Sequence, residues 1–443
     1  RASVAPDALA SEQQKSDLAL HGLESLDLLT THDAKKLLNR IAIGWDKNQC
    51  QSLIGKLNSR WMVDHDKGIV SRLWKFSQEY NWLYVVDEGH KYAYQKTLTR
   101  HLIDWIEENP LNRRLGLSGT PKRSDGISIG DKLFPGIALD FPLFNHTDEC
   151  GVKQGWAVPY DQRFIKIEGV DFSEIGRLSS GDFDDNQIEQ VLYTEEHLAE
   201  MIEPLFDIAE ENPKISYRFI TYSITVDFAK QVESYINERI KFRCSSCQRR
   251  QFRPKKEFEE FGIDCKWCLK KLSQDDIVSH KPQCKEVDGS FKDSDRQKIY
   301  DGHANGEFQF MSVCGLCREG YDDVRLDGVA IFRPISEAAS SLNEQIKGRC
   351  CRPLEVVYGL ETAEERREAI AKSDKPFGIV VDLVGVTGLP DCQSTAHLYA
   401  EGLPDEVVDE LHDRIVKDSG GDVERILEDL LREREEKEKR EQE

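Results

Sequence analysis

The stretch Trp82-Leu83-Tyr84-Val85-Val86-Asp87-Glu88-Gly89-His90 decides the fold class. Five apolar residues in a row, Trp82 to Val86, predict a strand buried on both faces, as in a parallel sheet covered by helices. Asp87 and Glu88 then fall at the C-terminal edge of that strand, where open α/β sheets bind their ligands. One carboxylate there can hold Mg²⁺ through its water shell, and the other can orient or deprotonate an attacking water. An acidic turn behind a buried strand is also common in itself, so the tetrapeptide gains meaning only from what accompanies it.

The chain has 443 residues, enough for two domains with separate cores. No apolar stretch approaches the ~20 residues that cross a bilayer, and the opening has no signal-peptide pattern. The expectation is a soluble, cytoplasmic protein without a membrane partner. Its 12 cysteines then point to thiols and metal ligands rather than to disulfides.

The net charge of −21 weighs against a nucleic-acid partner until its distribution is read. Residues 401–443 hold 17 acids and 8 bases, whereas residues 241–285 hold 12 bases and 6 acids. Local patches rather than net charge set phosphate contact, so a basic groove on an acidic body stays open.

Downstream of the opening stretch, Leu115-Gly116-Leu117-Ser118-Gly119-Thr120-Pro121 reads as a second short strand ending in small hydroxyl residues and a proline stop. A helix from about Tyr94 to Glu108 separates the two, with Leu98, Leu102, Ile103 and Ile106 at helical spacing. Residues 124–155 are rich in Gly, Asp and Pro and read as irregular linker leading to a strand at Tyr160–Ile167. Further strands are expected at 217–222, 309–314, 327–332 and 377–383. Val423, Ile426, Leu427, Leu430 and Leu431 give the last segment amphipathic spacing, the mark of a docking helix with a charged end.

Three more segments complete the order: Phe219-Ile220-Thr221-Tyr222-Ser223, Arg318-Glu319-Gly320-Tyr321-Asp322, and Gln345-Ile346-Lys347-Gly348-Arg349-Cys350-Cys351-Arg352-Pro353. Taken together, the chain resembles a superfamily 2 helicase. Asp87 to His90 match the DExH of motif II, and Ser118 to Pro121 stand for motif III. The other three segments resemble motifs IV, V and VI. The nearest resemblance is to DEAD/DEAH-box proteins related to the type III restriction enzyme R subunit, over roughly residues 1–400.

The resemblance implies an α/β protein of two RecA-like parallel-sheet domains, the first N-terminally incomplete, with ATP and Mg²⁺ bound between them. Residues 1–145 are expected to form the first domain, 146–185 a linker, 186–400 the second domain and 401–443 a charged helical tail. The family assigns Asp87 to Mg²⁺, Glu88 to the hydrolytic water, and His90 to a relay toward Ser118 and Thr120. It assigns Arg349 and Arg352 to the γ-phosphate as arginine fingers. Their three-residue spacing would put both on one face of a helix. Gln345 and Gly348 flank them, and Gly320 and Asp322 would close the cleft or contact a nucleic-acid backbone. Gly89 replaces the more usual alanine of motif II.

Ser3 to Gln14 resembles motif Ia, and in this family the phosphate-binding Walker A loop lies upstream of that point. The pattern G-x-x-x-x-G-K-[ST] is absent, since Gly55-Lys56 lacks the earlier glycine and the hydroxyl. The expectation is therefore a fragment beginning after that loop, inactive alone; the alternative is a natural protein that has lost it.

Cys244-Ser245-Ser246-Cys247 and Cys265-Lys266-Trp267-Cys268 give C-x₂-C-x₁₇-C-x₂-C, the spacing of a four-thiolate Zn²⁺ site. They predict a zinc ribbon inserted at about 242–285. His280 and Cys284 are alternative ligands, and Cys314-Gly315-Leu316-Cys317 repeats the form on a strand where burial is expected instead. Around the knuckles, Arg249, Arg250, Arg253, Lys255 and Lys256 interleave with Phe252 and Trp267, which suits a nucleic-acid strand as well as a purely structural clip.

Two function classes stand. One is an ATP-dependent helicase or translocase on nucleic acid, DNA favoured over RNA, alone or as the motor of a restriction or defence complex with a nuclease or another subunit. The other is a nucleic-acid-binding zinc protein with a decayed or lost ATPase.

Overall fold

In this computed structural model, residues 141–442 are described apart from 172–174, 179–182, 280, 316–320, 322, 334, 336–339, 385–394, 401 and 418–419. Of residues 1–140 it describes 2–5, 25–28, 52–56, 83–86, 107 and 110–117. The chain divides into two compact units, Arg1–Asp140 and Phe141–Glu443.

The first unit carries β1 (Ala2–Ala5), β2 (Ser25–Leu28), β3 (Ser52–Lys56), β4 (Leu83–Val86) and β5 (Arg113–Gly116). They form one sheet in the order β2-β3-β1-β4-β5, every pair parallel. The apolar run that opened the reading is thus β4, between β1 and β5. Val86 is level with Gly116, so the segments resembling motifs II and III each come, in sequence, just after one of two adjacent parallel strands. Gly55 and Lys56 lie within β3, paired with Val4 and Ala5, and form strand rather than a phosphate loop.

The second unit begins its sheet with β6 (Tyr160–Lys166), which lies inside the segment read from sequence as linker. Then come α1 (Asp185–Leu192), α2 (Glu195–Ala209), β7 (Phe219–Ser223) and α3 (Val226–Asn237). Side chains of Asp184, Thr194 and Thr225 accept backbone N–H bonds at the three helix starts, so polar residues at these N-caps set where each helix begins. The inserted piece contains β8 (Arg239–Arg243), β9 (Arg250–Pro254), α4 (Lys255–Phe261) and β10 (Ile277–Ser279). Its strands form a separate antiparallel sheet in the order β10-β8-β9.

The main sheet resumes at β11 (Cys284–Val287), followed by α5 (Asp293–Ala304), β12 (Phe310–Cys314) and β13 (Gly328–Ile331). After α6 (Ser340–Lys347) and α7 (Ala363–Lys372) comes β14 (Gly378–Val384). The chain then runs through α8 (Thr395–Tyr399), α9 (Asp405–Lys417), β15 (Gly420–Asp422) and α10 (Val423–Gln442). The seven strands lie in the order β11-β12-β7-β13-β14-β6-β15, parallel except for β15, which pairs antiparallel with β6.

Both faces of this sheet are covered, which explains its near-continuous apolar strands. One face presents Phe219, Phe310, Ala330, Ile379, Val381 and Leu383 to buried residues of α1, α2 and α3, among them Leu192, Met201, Leu205, Phe228 and Val232. The terminal helix α10 docks as its spacing predicted, with Val423, Leu427 and Leu430 buried. The tail is therefore built into this unit, through both β15 and α10. No described helix is long and apolar enough to cross a membrane.

The inserted sheet is fastened to the main body by a buried carboxylate. Glu210 follows the C-terminus of α2 with its side chain 3% exposed; Lys241 of β8 and Arg250 of β9 each reach it at 2.6 Å. Gln309 donates to Glu210 at 2.8 Å, and Lys241 also donates to Gln309 and Ser216. Beside this cluster, Phe252 of β9 stacks on Phe206 with ring centroids 4.4 Å apart. Burial pushes the Lys241 ammonium below its ordinary range, against the pull of Glu210.

Sequence reading grouped Arg250 and Phe252 with the residues available to nucleic acid. The structure corrects this: both point inward and are taken up by the junction, because strand alternation puts Arg250 and Phe252 on one face of β9 and Gln251, which reaches the knuckle, on the other. Glu210→Ala leaves two buried cations without their carboxylate and is expected to cost about 3–5 kcal/mol. Urea unfolding of the full chain checks it, through an earlier loss of tertiary signal than in Glu203→Ala, whose partner Arg239 is bound at a more exposed carboxylate.

Candidate functional site

The four cysteines Cys244, Cys247, Cys265 and Cys268 converge. Their sulfurs all lie within 4.8 Å of one another, and among the described residues this is the group of His, Cys, Asp or Glu side chains arranged to hold a metal. The Cys244–Cys268 and Cys247–Cys265 sulfurs are each 3.6 Å apart. A Zn²⁺ tetrahedron with bonds of about 2.3 Å has sulfur edges of about 3.8 Å, whereas a disulfide needs about 2.05 Å. The donor set thus fits zinc.

Each pair is shaped by the same turn. The N–H of Gln248 donates to Cys244 O at 2.8 Å, and that of Leu269 to Cys265 O at 3.0 Å. Gln248 and Leu269 directly follow the second cysteine of their pairs and have φ of 62° and 60°. Two non-glycine residues held in the left-handed region at matching positions mark a backbone bent to aim its sulfurs inward.

Neighbours hold both turns. Asp276 accepts from Ser245 N at 2.6 Å and from Ser273 N at 2.8 Å. Burial opposes ionisation of Asp276, but these donors bring it down to about 2. On the second turn, Gln251 donates to Cys265 Sγ at 3.2 Å and accepts from Lys266 N at 2.9 Å. Burial also opposes ionisation of the Cys265 thiol, yet the N–H groups of Cys268 and Trp267 with Gln251 lower it to about 6. Cys284, an alternative ligand from spacing, is instead fully buried in β11 within the main core. His280 lies outside the described residues. Cys314 is half-buried and donates to Ile224 O at 2.8 Å, and Cys317 lies outside the described residues.

The segment resembling motif VI occupies α6 and a 3-10 turn, Gly348–Cys351. Lys347, fully buried, pairs with Asp382 of β14 at 2.9 Å. The thiols of Cys350 and Cys351 both donate to Lys347 O, and Cys351 O accepts from Val158 N at 2.8 Å. Gly378 opens β14 directly under the turn: a Cβ there would stand 2.6 Å from Cys350 O. Gln345, Gly348 and Arg349 are all partly accessible.

One expectation needs correction. Arg349 and Arg352 do not share a helix face, because Arg352 is already extended at φ −68°, ψ 128°. Pro353 imposes this, since its ring excludes the preceding residue from the helical region. Arg349 Nη1 donates to Tyr321 O at 2.8 Å, which joins the motif VI turn to the end of the segment resembling motif V.

Tyr321 is itself fixed from below. Its hydroxyl meets His303 Nδ1 at 2.9 Å and donates to Asp323 at 3.3 Å, while Arg218 reaches Asp323 at 3.3 Å and donates to His303 O at 2.6 Å. Sequence reading missed Arg218, His303, Tyr321's hydroxyl role and Gln251, for which no local pattern exists. Asp276 did leave a trace, as the fourth residue of the capping sequence Ser273-Gln274-Asp275-Asp276.

Asp87, Glu88, His90, Ser118, Thr120, Gly320 and Asp322 lie outside the described residues, as does the helix expected at 94–108 apart from Glu107.

Two measurements test these arrangements. Elemental analysis of freshly reduced protein is expected to find one zinc per chain, and Cys265→Ser to lose it. Burial, aided by Arg218, lowers the His303 imidazole to about 4 from its usual 6.5. The unfolded chain therefore binds more protons than the folded one between these values. Stability from this histidine is complete above pH 6.5 and falls as pH drops toward 4. His303→Gln should flatten that part of the stability–pH curve.

No protein-family model matches the chain, and no curated protein matches it. Among solved structures, the chain is similar to the Mycobacterium smegmatis helicase Lhr bound to ssDNA and AMP-PNP, at 13% identity and a TM-score of 0.45, over 94% of this chain and 42% of that one. It is similar to the DUF1998 helicase MrfA bound to DNA, at 12% identity and a TM-score of 0.46, over 87% and 42%. A fragment described as an HsdR subunit of a type I restriction enzyme from Vibrio vulnificus gives 14% identity and a TM-score of 0.44, over 77% and 49%. The chain spans less than half the length of these three.

Proposed function

We propose that this chain is part of an ATP-dependent motor on nucleic acid, a helicase or translocase of the superfamily 2 kind. The observation that carries the reading is the seating of Arg349. A guanidinium that is partly accessible, aimed by Tyr321 O and held on a turn packed against β14, is a preorganised cation of the sort that stabilises charge on a transferred phosphoryl group. The order of these segments along the chain, together with two sets of parallel strands, supports it.

In this reading Asp87 holds Mg²⁺ and Glu88 orients the water, with His90, Ser118 and Thr120 relaying nucleotide state. Gln345, Gly348, Arg349 and Arg352 meet the phosphates, with Gly320 and Asp322 beside them. Arg352 then acts from an extended stretch rather than from the helix, so the two arginines approach the nucleotide from different backbones. Zn²⁺, where bound, supplies structure to the inserted ribbon and no chemistry.

The test is nucleic-acid-stimulated ATP hydrolysis by the full-length gene product. Arg349→Ala is expected to lower the stimulated rate by about 10³-fold, and Glu88→Gln to abolish it. Unchanged hydrolysis in both variants would overturn the reading.

A further inference from the structure

The two zinc knuckles present a surface whose chemistry is unlike that of the rest of the chain. Residues 244–250 and 265–271 carry Arg249, Arg250, Lys266, Lys270 and Lys271 and no acidic residue, in a protein of net charge −21. Arg250 is turned into the Glu210 junction. The remaining four cations are exposed, and so is Trp267, at 43%. The Arg249 guanidinium lies 4.6 Å and the Lys266 ammonium 5.3 Å from the indole ring. Of the carboxylates near the knuckles, Asp276 holds the first from within and Asp207 pairs with Lys266, while Asp264 and Asp275 are exposed.

An indole this exposed loses hydrophobic free energy to water, and nothing in the ribbon's own packing requires it there. The knuckle's small core is made by Ile240, Phe242, Ile263 and Leu272 with the buried cysteines, and does not include Trp267. A flat π surface ringed by cations, on a rigid metal-bent turn, matches one partner class: an unpaired nucleobase flanked by phosphates. Only a single strand offers an unstacked base face, so duplex is excluded as the fitting ligand.

We propose that the knuckle surface of Trp267, Arg249, Lys266 and Lys270 is a binding site for single-stranded nucleic acid. Trp267 stacks on a base while Arg249 and Lys270 meet the adjoining phosphates. Because the ribbon is fastened by Glu210 and by Phe252 on Phe206, this contact belongs rigidly to the domain that bears Arg349. The site rests on the nucleic-acid partner of the function proposed above, and not on ATP hydrolysis.

The experiment is fluorescence anisotropy of a labelled oligothymidylate with the zinc-loaded full chain, without nucleotide. Trp267→Ala is expected to weaken binding about tenfold, and Trp267→Phe, which keeps a stacking ring, to retain most of it. Arg249→Ala with Lys270→Ala should reduce the salt dependence of binding. Zinc content equal to wild type shows that each variant keeps its ribbon. Wild-type affinity in Trp267→Ala at full zinc content overturns the proposal. So does displacement of the probe by polyglutamate equally well from wild type and Trp267→Ala, which would mark a surface that reads charge alone. Loss of oligothymidylate binding in Trp267→Ala from a protein that hydrolyses no ATP keeps this site and removes the motor. Stimulated hydrolysis with Trp267-independent binding does the reverse.

Discussion

Glu210 is the point on which the second unit turns. It sits just beyond the C-terminus of α2, where the helix dipole disfavours a negative charge, and it is withdrawn from water. Either circumstance alone would make a carboxylate costly. Two cations at 2.6 Å, from adjacent strands of the inserted sheet, and the amide of Gln309 offset both. The arrangement is satisfied only when α2, β8, β9 and the approach to β12 are all in place. A hydrophobic junction could have slid; this one has a single registration, since a shift of either strand would bury an unmatched charge. The ribbon therefore takes its position from electrostatics and keeps it by the stacking of Phe252 on Phe206.

How much of this was legible in the sequence varied with the range of the interaction. The cysteine pairs were readable because metal geometry fixes their spacing locally, and the sulfurs do converge. The parallel strands were readable because burial on both faces writes itself as unbroken apolar runs; β7, β12, β13 and β14 fall within a residue or two of expectation. The orientation of Arg250 and Phe252 was not readable, because basic and aromatic residues look alike in sequence whether they meet a partner or a buried glutamate more than 35 positions away. The strand at Tyr160–Lys166 was seen, but its membership in the second sheet depends on pairing with β14 more than two hundred residues later.

The motif VI turn shows the same division at smaller scale. Its residues are identifiable by pattern, yet the shape they take follows from Pro353, which ends the helical backbone one residue earlier than the spacing of the arginines suggested. Arg349 gains an acceptor from Tyr321 as a result, and Tyr321 is held in turn by His303, Asp323 and Arg218. The side chain at the surface is thus positioned by a chain of polar contacts reaching into the core. None of the deeper members carries a recognisable signature.

The left-handed backbone at Gln248 and Leu269 has a consequence for the whole unit. Side-chain-bearing residues in that conformation store roughly 1–3 kcal/mol each, and a metal held by the four cysteines would supply what keeps them there. A metal bound by these cysteines would therefore be thermodynamically linked to the fold of the ribbon. The same β8 and β9 that carry the knuckles carry Lys241 and Arg250. Strain at the knuckles and the seating of the two cations on Glu210 are thus carried by one pair of strands.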